Sequence, residues 1–309
     1  MAVDLSPIDA DLLKTLTSVH GIPEGAYNIR KDGELLTRHS SANIEISTKT
    51  DHPGIDIRIK PGTKGEKVYI PVILSRAGIK DVVYNNFYIG DDCDVTIIAG
   101  CGIHSDSHEA AEHDGIHTFY VGKNARVKYI ERHYGEGTGT GDRILNPVTK
   151  VYQEENSYCE MEMTQLRGVT STIRDTDAEL GAGAKLVLTE KLLTHDKQHA
   201  TSNMNIRLIG KDANVQVISR SVAMDESVQI FNPLVTGEAA CHGHVQCDAI
   251  IQGKAIVKAI PGIEAAHEDA QLIHEAAIGK IAGDQIIKLM TLGLTEEEAE
   301  QEILDDFLS

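Results

Sequence analysis

The amino-acid sequence predicts an all-β chain, a parallel β-helix with short helical segments at its N- and C-termini. Three observations carry this. From about residue 66 to residue 275, short alternating strands follow one another, broken by brief polar turns. One phrase recurs at the strand entries with a near-constant period. The core supply is Val, Ile, Leu and Ala, with no Trp and only four Phe, which suits stacked strands.

Residues 1–65 read as a short N-terminal helix and strand region. Ser6 is the N-cap, Pro7 fits the first helical position and Asp9 the third. Ile8, Leu12, Leu13 and Leu16 share an apolar face, and Gly21 ends the run. Ile44 and Ile46, then Ile55, Ile57 and Ile59, alternate with polar residues as half-buried strands do.

Residues 66–275 form the expected β-helix core. The recurring phrase is a turn of Gly, Asp, Glu, Lys or Asn, then a small residue, then an alternating strand. It appears as GKNARVKYI around Ala125, EENSYCEME around Ser157, GAGAKLVLT around Ala184, GKDANVQVI around Ala213 and HEDAQLIHE around Ala270, with a weaker copy around Cys93. The spacings are 32, 32, 27, 29 and 57 residues, the last close to double, as if a copy near Cys241 were degraded. Units that bury their faces only against neighbours give such a period, whereas a Greek-key sandwich needs none.

Residues 276–309 turn helical. Ile286, Ile287, Leu289 and Met290 form an apolar stripe ended by Gly293. Thr295 and Glu298 make a capping box for a second helix with Ala299, Ile303, Leu304, Phe307 and Leu308 on one face. The pair reads as a helical hairpin that covers the open end of the β-helix, a role compatible with docking a partner.

Charge and cysteine usage narrow the function. The net charge of −18 argues against nucleic acid as a partner, because phosphate neutralisation needs clustered Lys and Arg. No stretch approaches the ~20 apolar residues of a membrane span. The first residues carry acids where a secretory signal carries positive charge, so a cytoplasmic protein is expected. Five cysteines, an odd number, fit free thiols in a reducing compartment.

Several signatures fail. There is no P-loop run. The glycine-rich Gly135–Gly141 misses the dinucleotide pattern by one position and reads as a flexible loop. His108 to His113 lacks the second His of a metalloprotease motif, since Glu112 stands there, and His274-Glu275-Ala276-Ala277-Ile278 fails likewise. Two groups of soft and borderline metal ligands remain. One is Cys101 with His104, His108, His113 and His117; the other is Cys241, His242, His244 and Cys247 with His267, His274 and Glu275 downstream. On an extended strand Cys241, Gly243, Val245 and Cys247 share one face, and His242 and His244 the other. One tetrahedral site from all four ligands is therefore not expected. Cys101, between two glycines at a strand end, reads as a reachable thiol.

Four ordered stretches carry a family resemblance: RGVTST with IRDTDAEL, SRSVAMDESVQIF, GHVQCDAII, and AQLIHEAAIGKIAGDQIIKLMTLGLTEEEAEQEIL. Over roughly residues 90–309 the chain resembles the SufB/SufD family, the scaffold subunits of the SUF iron–sulfur cluster assembly system, and is most similar to SufB. The resemblance implies a right-handed parallel β-helix with a short helical domain. It implies pairing through the C-terminal strands, as a homodimer or with a SufD-like subunit. It also implies a SufC-like ATP-binding-cassette ATPase docked on the C-terminal helices.

By the same resemblance Cys101 in IIAGCGIH matches the sulfur acceptor, and Cys247 in VQCDAII with His274 and Glu275 matches the interface ligand set. Ile273 stands where longer members carry Glu, and most of their long N-terminal domain is missing, with its place for a sulfur donor. The implied cofactor is a transient iron–sulfur cluster, taken as [4Fe–4S]. The chain is then a scaffold and no enzyme, the ATPase activity residing in the partner. A SufD-like structural subunit without its own cluster is the alternative. A polysaccharide-active β-helix enzyme is disfavoured by the lack of Trp platforms and of a secretion signal.

Overall fold

The computed structural model describes residues 5–308 as a parallel β-solenoid with three short helices. One sheet of ten strands runs β2 (Glu34–His39), β1 (Ala26–Lys31), β5 (Lys64–Leu74), β7 (Asp94–His104), β9 (Arg126–Glu136), β12 (Tyr158–Arg167), β14 (Lys185–Thr194), β16 (Asn214–Ala223), β18 (His242–Ile251), β21 (Gln271–Gly279). The facing eleven-stranded sheet begins with β3 (Ile44–Thr48), β4 (Gly54–Ile59), β6 (Lys80–Ile89) and β8 (Ala111–Val121). It continues through the pair β10 (Arg143–Leu145) and β11 (Val148–Gln153), then β13 (Ser171–Leu180), β15 (His199–Leu208) and β17 (Val228–Gly237). It ends on β19 (Ile256–Ala259) and β20 (Gly262–Ala265). The pairings are parallel except at the N-terminal hairpins β1–β2 and β3–β4. The stack starts before residue 66, because β1 pairs with β5 and β4 with β6.

The recurring small residues explain the corners. Cys93, Ala125, Ser157, Ala184 and Ala213 are all buried, and Cys241 fills the same corner in the copy that the sequence had degraded. Stacked coils lie about 4.8 Å apart, which leaves no room for a larger side chain pointing inward at a corner. Asp92, Asn124, Asn156 and Asp212, just ahead of four of them, hold left-handed φ values of 55–60°, which short polar side chains tolerate. Asn124 also donates to Asp92 of the coil below at 3.2 Å.

Three local expectations change. The first helix, α1 (Pro7–Thr17), has the capping box of Ser6 and Asp9, but it stops at Ser18 in the left-handed conformation rather than at Gly21. There the Thr17 hydroxyl has turned back to the Leu13 carbonyl, and Ile8 stays exposed. The Gly135–Gly141 stretch is no flexible loop. Gly139 and Gly141 donate to the Ser105 and Ser107 carbonyls at 3.0 and 2.9 Å. A Cβ there would come within 2.3 Å of the Ser107 oxygen or 2.1 Å of the Glu109 oxygen, so only glycine lets the two backbones stack.

The third change concerns the C-terminal hairpin of α2 (Gly283–Met290) and α3 (Glu296–Leu308). It does not cover the open end of the solenoid. Leu193, Val222 and Ile250 stand in one outward row across β14, β16 and β18, and Leu304 and Leu308 of α3 pack on that row. An apolar stripe on the sheet's outer face is what the amphipathic helix satisfies. The final coil is left with Ile256, Ile260, Ile263, Ile273 and Ile278 exposed. Among the described residues no helix is long and apolar enough to cross a membrane.

Candidate functional site

Side chains alternate in and out along each strand, so strand register decides what the interior holds. Cys101 on β7 points inward and is 1% exposed. The glycines on either side do not open it to solvent, because β5 and β9 flank the strand at Val72 and His133. The reachable thiol expected at this position is therefore enclosed. Burial raises its pKa well above the usual thiol value, and Asp81 and Glu131 add to the effect. It shares a closed cavity with His113, His117, Glu131 and His133, which leaves about 10 Å³ for the centre of a water molecule, room for one.

This part of the interior is a polar network. Tyr129 donates to Glu131 at 2.8 Å, and the His117 ring meets the Tyr129 hydroxyl at 2.8 Å and Asn85 at 3.3 Å. Glu131 pairs with the Arg174 guanidinium, which also reaches Glu190 at 3.3 Å and His133 at 3.3 Å. His113 pairs with Asp81 at 3.1 Å, and Asp81 with Arg30 at 2.8 Å. Burial alone would raise the Glu131 carboxyl, but the Arg174 guanidinium carries it below the usual range. Burial drives His117 to about 4 and His133 to about 3, so both rings are neutral. Sequence reading missed Glu131, His133, Arg174 and Glu190. Their signal was polar residues at the inward positions of strands whose other inward residues are apolar.

Cys247 lies further along the same sheet. The inward row runs Glu131, Met163, Glu190, Ser219, Cys247, Ala276 in strand register. From β7 to β18 there are five strand spacings, so Cys101 and Cys247 lie roughly 24 Å apart. Cys247 is 1% exposed, and burial lifts its thiol to about 11, with Asp248 and Glu190 contributing.

His274 sits opposite Val245 in the neighbouring inward row, on the edge strand β21. Its Nε2 is buried without a hydrogen-bond partner. Glu275 is opposite Gln246 and points outward, toward His244. The three residues that the resemblance grouped are thus divided: Cys247 and His274 share the inner face, and Glu275 occupies the outer one. Within a single chain they do not close on one ion. Among the described residues, the triple of His, Cys, Asp or Glu with ligand atoms within 4.8 Å of one another is His195, Asp196 and Asp225, at a corner turn.

The remaining histidines of the first ligand group have protein partners. His104 meets Glu136 and Asp106 at 3.0 and 3.1 Å, and His108 meets Thr140 at 2.6 Å. All five cysteines are free and buried, Cys241 as corner filler.

Known proteins resemble this arrangement. The family model for the SUF system FeS cluster assembly SufBD core domain matches residues 83–307. An iron–sulfur cluster assembly SufBD family protein of Methanocaldococcus jannaschii is 27% identical over 293 residues, covering 93% of this chain and 90% of the relative. Another, of Archaeoglobus fulgidus, is 26% identical over 281 residues, covering 91% of this chain and 73% of the relative. A chloroplastic one of Arabidopsis thaliana is 25% identical over 209 residues, covering 63% and 36%.

Proposed function

We propose, from the premise that the chain belongs to the SufBD family of SUF-system iron–sulfur cluster assembly proteins, that it is the scaffold subunit on which a transient cluster is built. Cys101 accepts sulfane sulfur from a donor persulfide: its thiolate attacks the terminal sulfur, the donor's S–S bond breaks with its thiolate leaving, and Cys101 is left as the persulfide. Cys247 and His274 hold the growing cluster, since thiolate is the main cluster ligand and imidazole can replace it. The observation that carries this reading is the inward His274 Nε2, buried and unpartnered in the row beside that of Cys247 at the exposed edge of the solenoid. A thiolate and an imidazole cannot complete a four-ligand site. A second subunit on the β21 edge, presenting the same pair, can.

The 24 Å between the thiols rules out direct exchange between them. The cavity beside Cys101 has room for one water, so transfer of sulfur between the thiols requires the coils to open. The partner ATPase docks on the hairpin, whose Ile287, Met290 and Leu292 are exposed on and beside α2. Reduced thiols suit the cytoplasm.

One observation favours the SufD-like alternative: Cys101 is enclosed and its thiol protonated. Loading with a ³⁵S-labelled persulfide donor separates the two readings. Label on Cys101 that chases to Cys247 supports the scaffold, and no label on either thiol, with or without the ATPase, supports the structural subunit.

A further inference from the structure

The last coil carries ligands on both faces, and the outer pair is not explained by the cluster. His244 and Glu275 project outward from β18 and β21, two residues apart in register on the same face. The Nε2 of His244 is buried and has no hydrogen-bond partner. Its nearest acid is the Glu275 Oε2 at 3.6 Å, beyond hydrogen-bond reach. Glu275 has no other ion pair or hydrogen bond among the described residues. The adjacent outward groups do not compete, because Gln246 already donates to Asp248 at 2.6 Å.

That separation is the one two ligands of a common ion adopt. With metal–nitrogen and metal–oxygen bonds of about 2.1 Å, atoms 3.6 Å apart subtend roughly 120° at the metal. The remaining coordination positions face solvent, since the Glu275 side chain is 65% exposed on an edge strand. Imidazole plus carboxylate suits iron(II), manganese or zinc, not the soft ions that thiolates select.

We propose that His244 and Glu275 form a divalent-metal site on the outer face of the last coil, back to back with Cys247 and His274, which takes iron(II) apart from any thiolate. This deepens the scaffold reading, in which iron is cargo, and moves Glu275 from the cluster to the ion. His244 stood in the second ligand group of the sequence, but only the strand register sets it beside Glu275 and apart from Cys247.

The test uses the full chain, anaerobic and free of sulfide, with cobalt(II) standing in for iron(II). In a Cys247→Ala background one cobalt binds per chain, with the weak absorption of nitrogen and oxygen ligation and no thiolate charge-transfer band. Adding His244→Ala or Glu275→Gln lowers cobalt affinity at least about tenfold. His199→Ala, an exposed histidine on the other sheet, leaves it unchanged. Unchanged thermal midpoints show that the variants are folded. If the pair is only an ion pair, His244→Ala leaves cobalt binding as it was, and the site is overturned. A chain that loses its cluster through Cys247→Ala but shows no dependence of cobalt on His244 keeps the scaffold reading and loses this site.

Discussion

The interior around Glu131 and the final coil around Cys247 are built from similar residue types, yet they differ in how fully their polar atoms are spent. Around Glu131, carboxylates, imidazoles, a phenol and a guanidinium engage one another, and the space left holds one water. At the final coil two imidazole nitrogens, on opposite faces, are buried with no partner. A buried polar atom left unpaired costs about 1–3 kcal/mol, so the second arrangement is stable only if something else supplies the partner. Apolar exposure is concentrated at the same end, since Ile256, Ile260, Ile263, Ile273 and Ile278 are exposed on β19, β20, β21 and the loop between them, while Ile173 and Ile209 are exposed singly elsewhere on the solenoid. Unpartnered hydroxyls and amide oxygens also occur elsewhere in the stack, but the unpartnered imidazoles lie at its end, which is where the proposed ligand and partner sites are placed.

The largest test of that contrast is Arg174→Met against His274→Ala. The first strands Glu131 and Glu190 in the interior and costs about 3–5 kcal/mol in denaturant unfolding. The second removes a nitrogen that bonds nothing and costs less than about 0.5 kcal/mol. Equal losses for the two would erase the distinction.

Acid titration follows in size. His117 and His133 have folded values of about 4 and about 3, below an unfolded value near 6.5. Above that value both states are neutral and stability is fully present. As pH falls below it the unfolded chain takes up protons first, and stability drops by about 1.4 kcal/mol per pH unit for each ring. His133→Gln halves the slope these two rings contribute between pH 6 and pH 5, measured by urea midpoints. A slope that the substitution leaves untouched contradicts the neutral, saturated interior.

Two smaller tests address the hairpin beside the final coil. Ile287→Glu, at a residue 59% exposed, abolishes co-purification with the proposed partner ATPase and shifts the thermal midpoint little; full retention of the ATPase removes α2 from the proposed docking surface. Thr295→Ala deletes the hydroxyl of the Thr295–Glu298 capping box and lowers the local stability of α3 by about 1 kcal/mol, read by hydrogen exchange.

Much of the fold was legible because stacking requires a small residue at a fixed interval, and Cys93, Ala125, Ser157, Ala184 and Ala213 recorded it directly. Even the gap in the series was informative, for Cys241 occupies the missing corner. The parity of Cys247 against His242 and His244 was equally legible from the strand alone. Other features depend on which strands become neighbours, and no local pattern carries that. The Glu131–Arg174 pair joins residues 43 apart in sequence. The glycine-rich stretch reads as loose until the 105–109 backbone is laid against it. The hairpin reads as a lid until the outward row Leu193–Val222–Ile250 is assembled. Glu275 was grouped with His274 by resemblance, although adjacent residues of one strand face opposite ways; parity separates them as soon as β21 is known to be a strand.

The central claim is that the final coil, and not the interior around Cys101, holds the cluster. Iron and acid-labile sulfide bound after anaerobic reconstitution with iron and free sulfide test it most directly. The account predicts that Cys247→Ala retains almost none of either, while Cys101→Ala retains both at the wild-type level because free sulfide bypasses the acceptor thiol. A Cys247→Ala chain that keeps a full cluster, or a Cys101→Ala chain that loses it under free sulfide, contradicts the account.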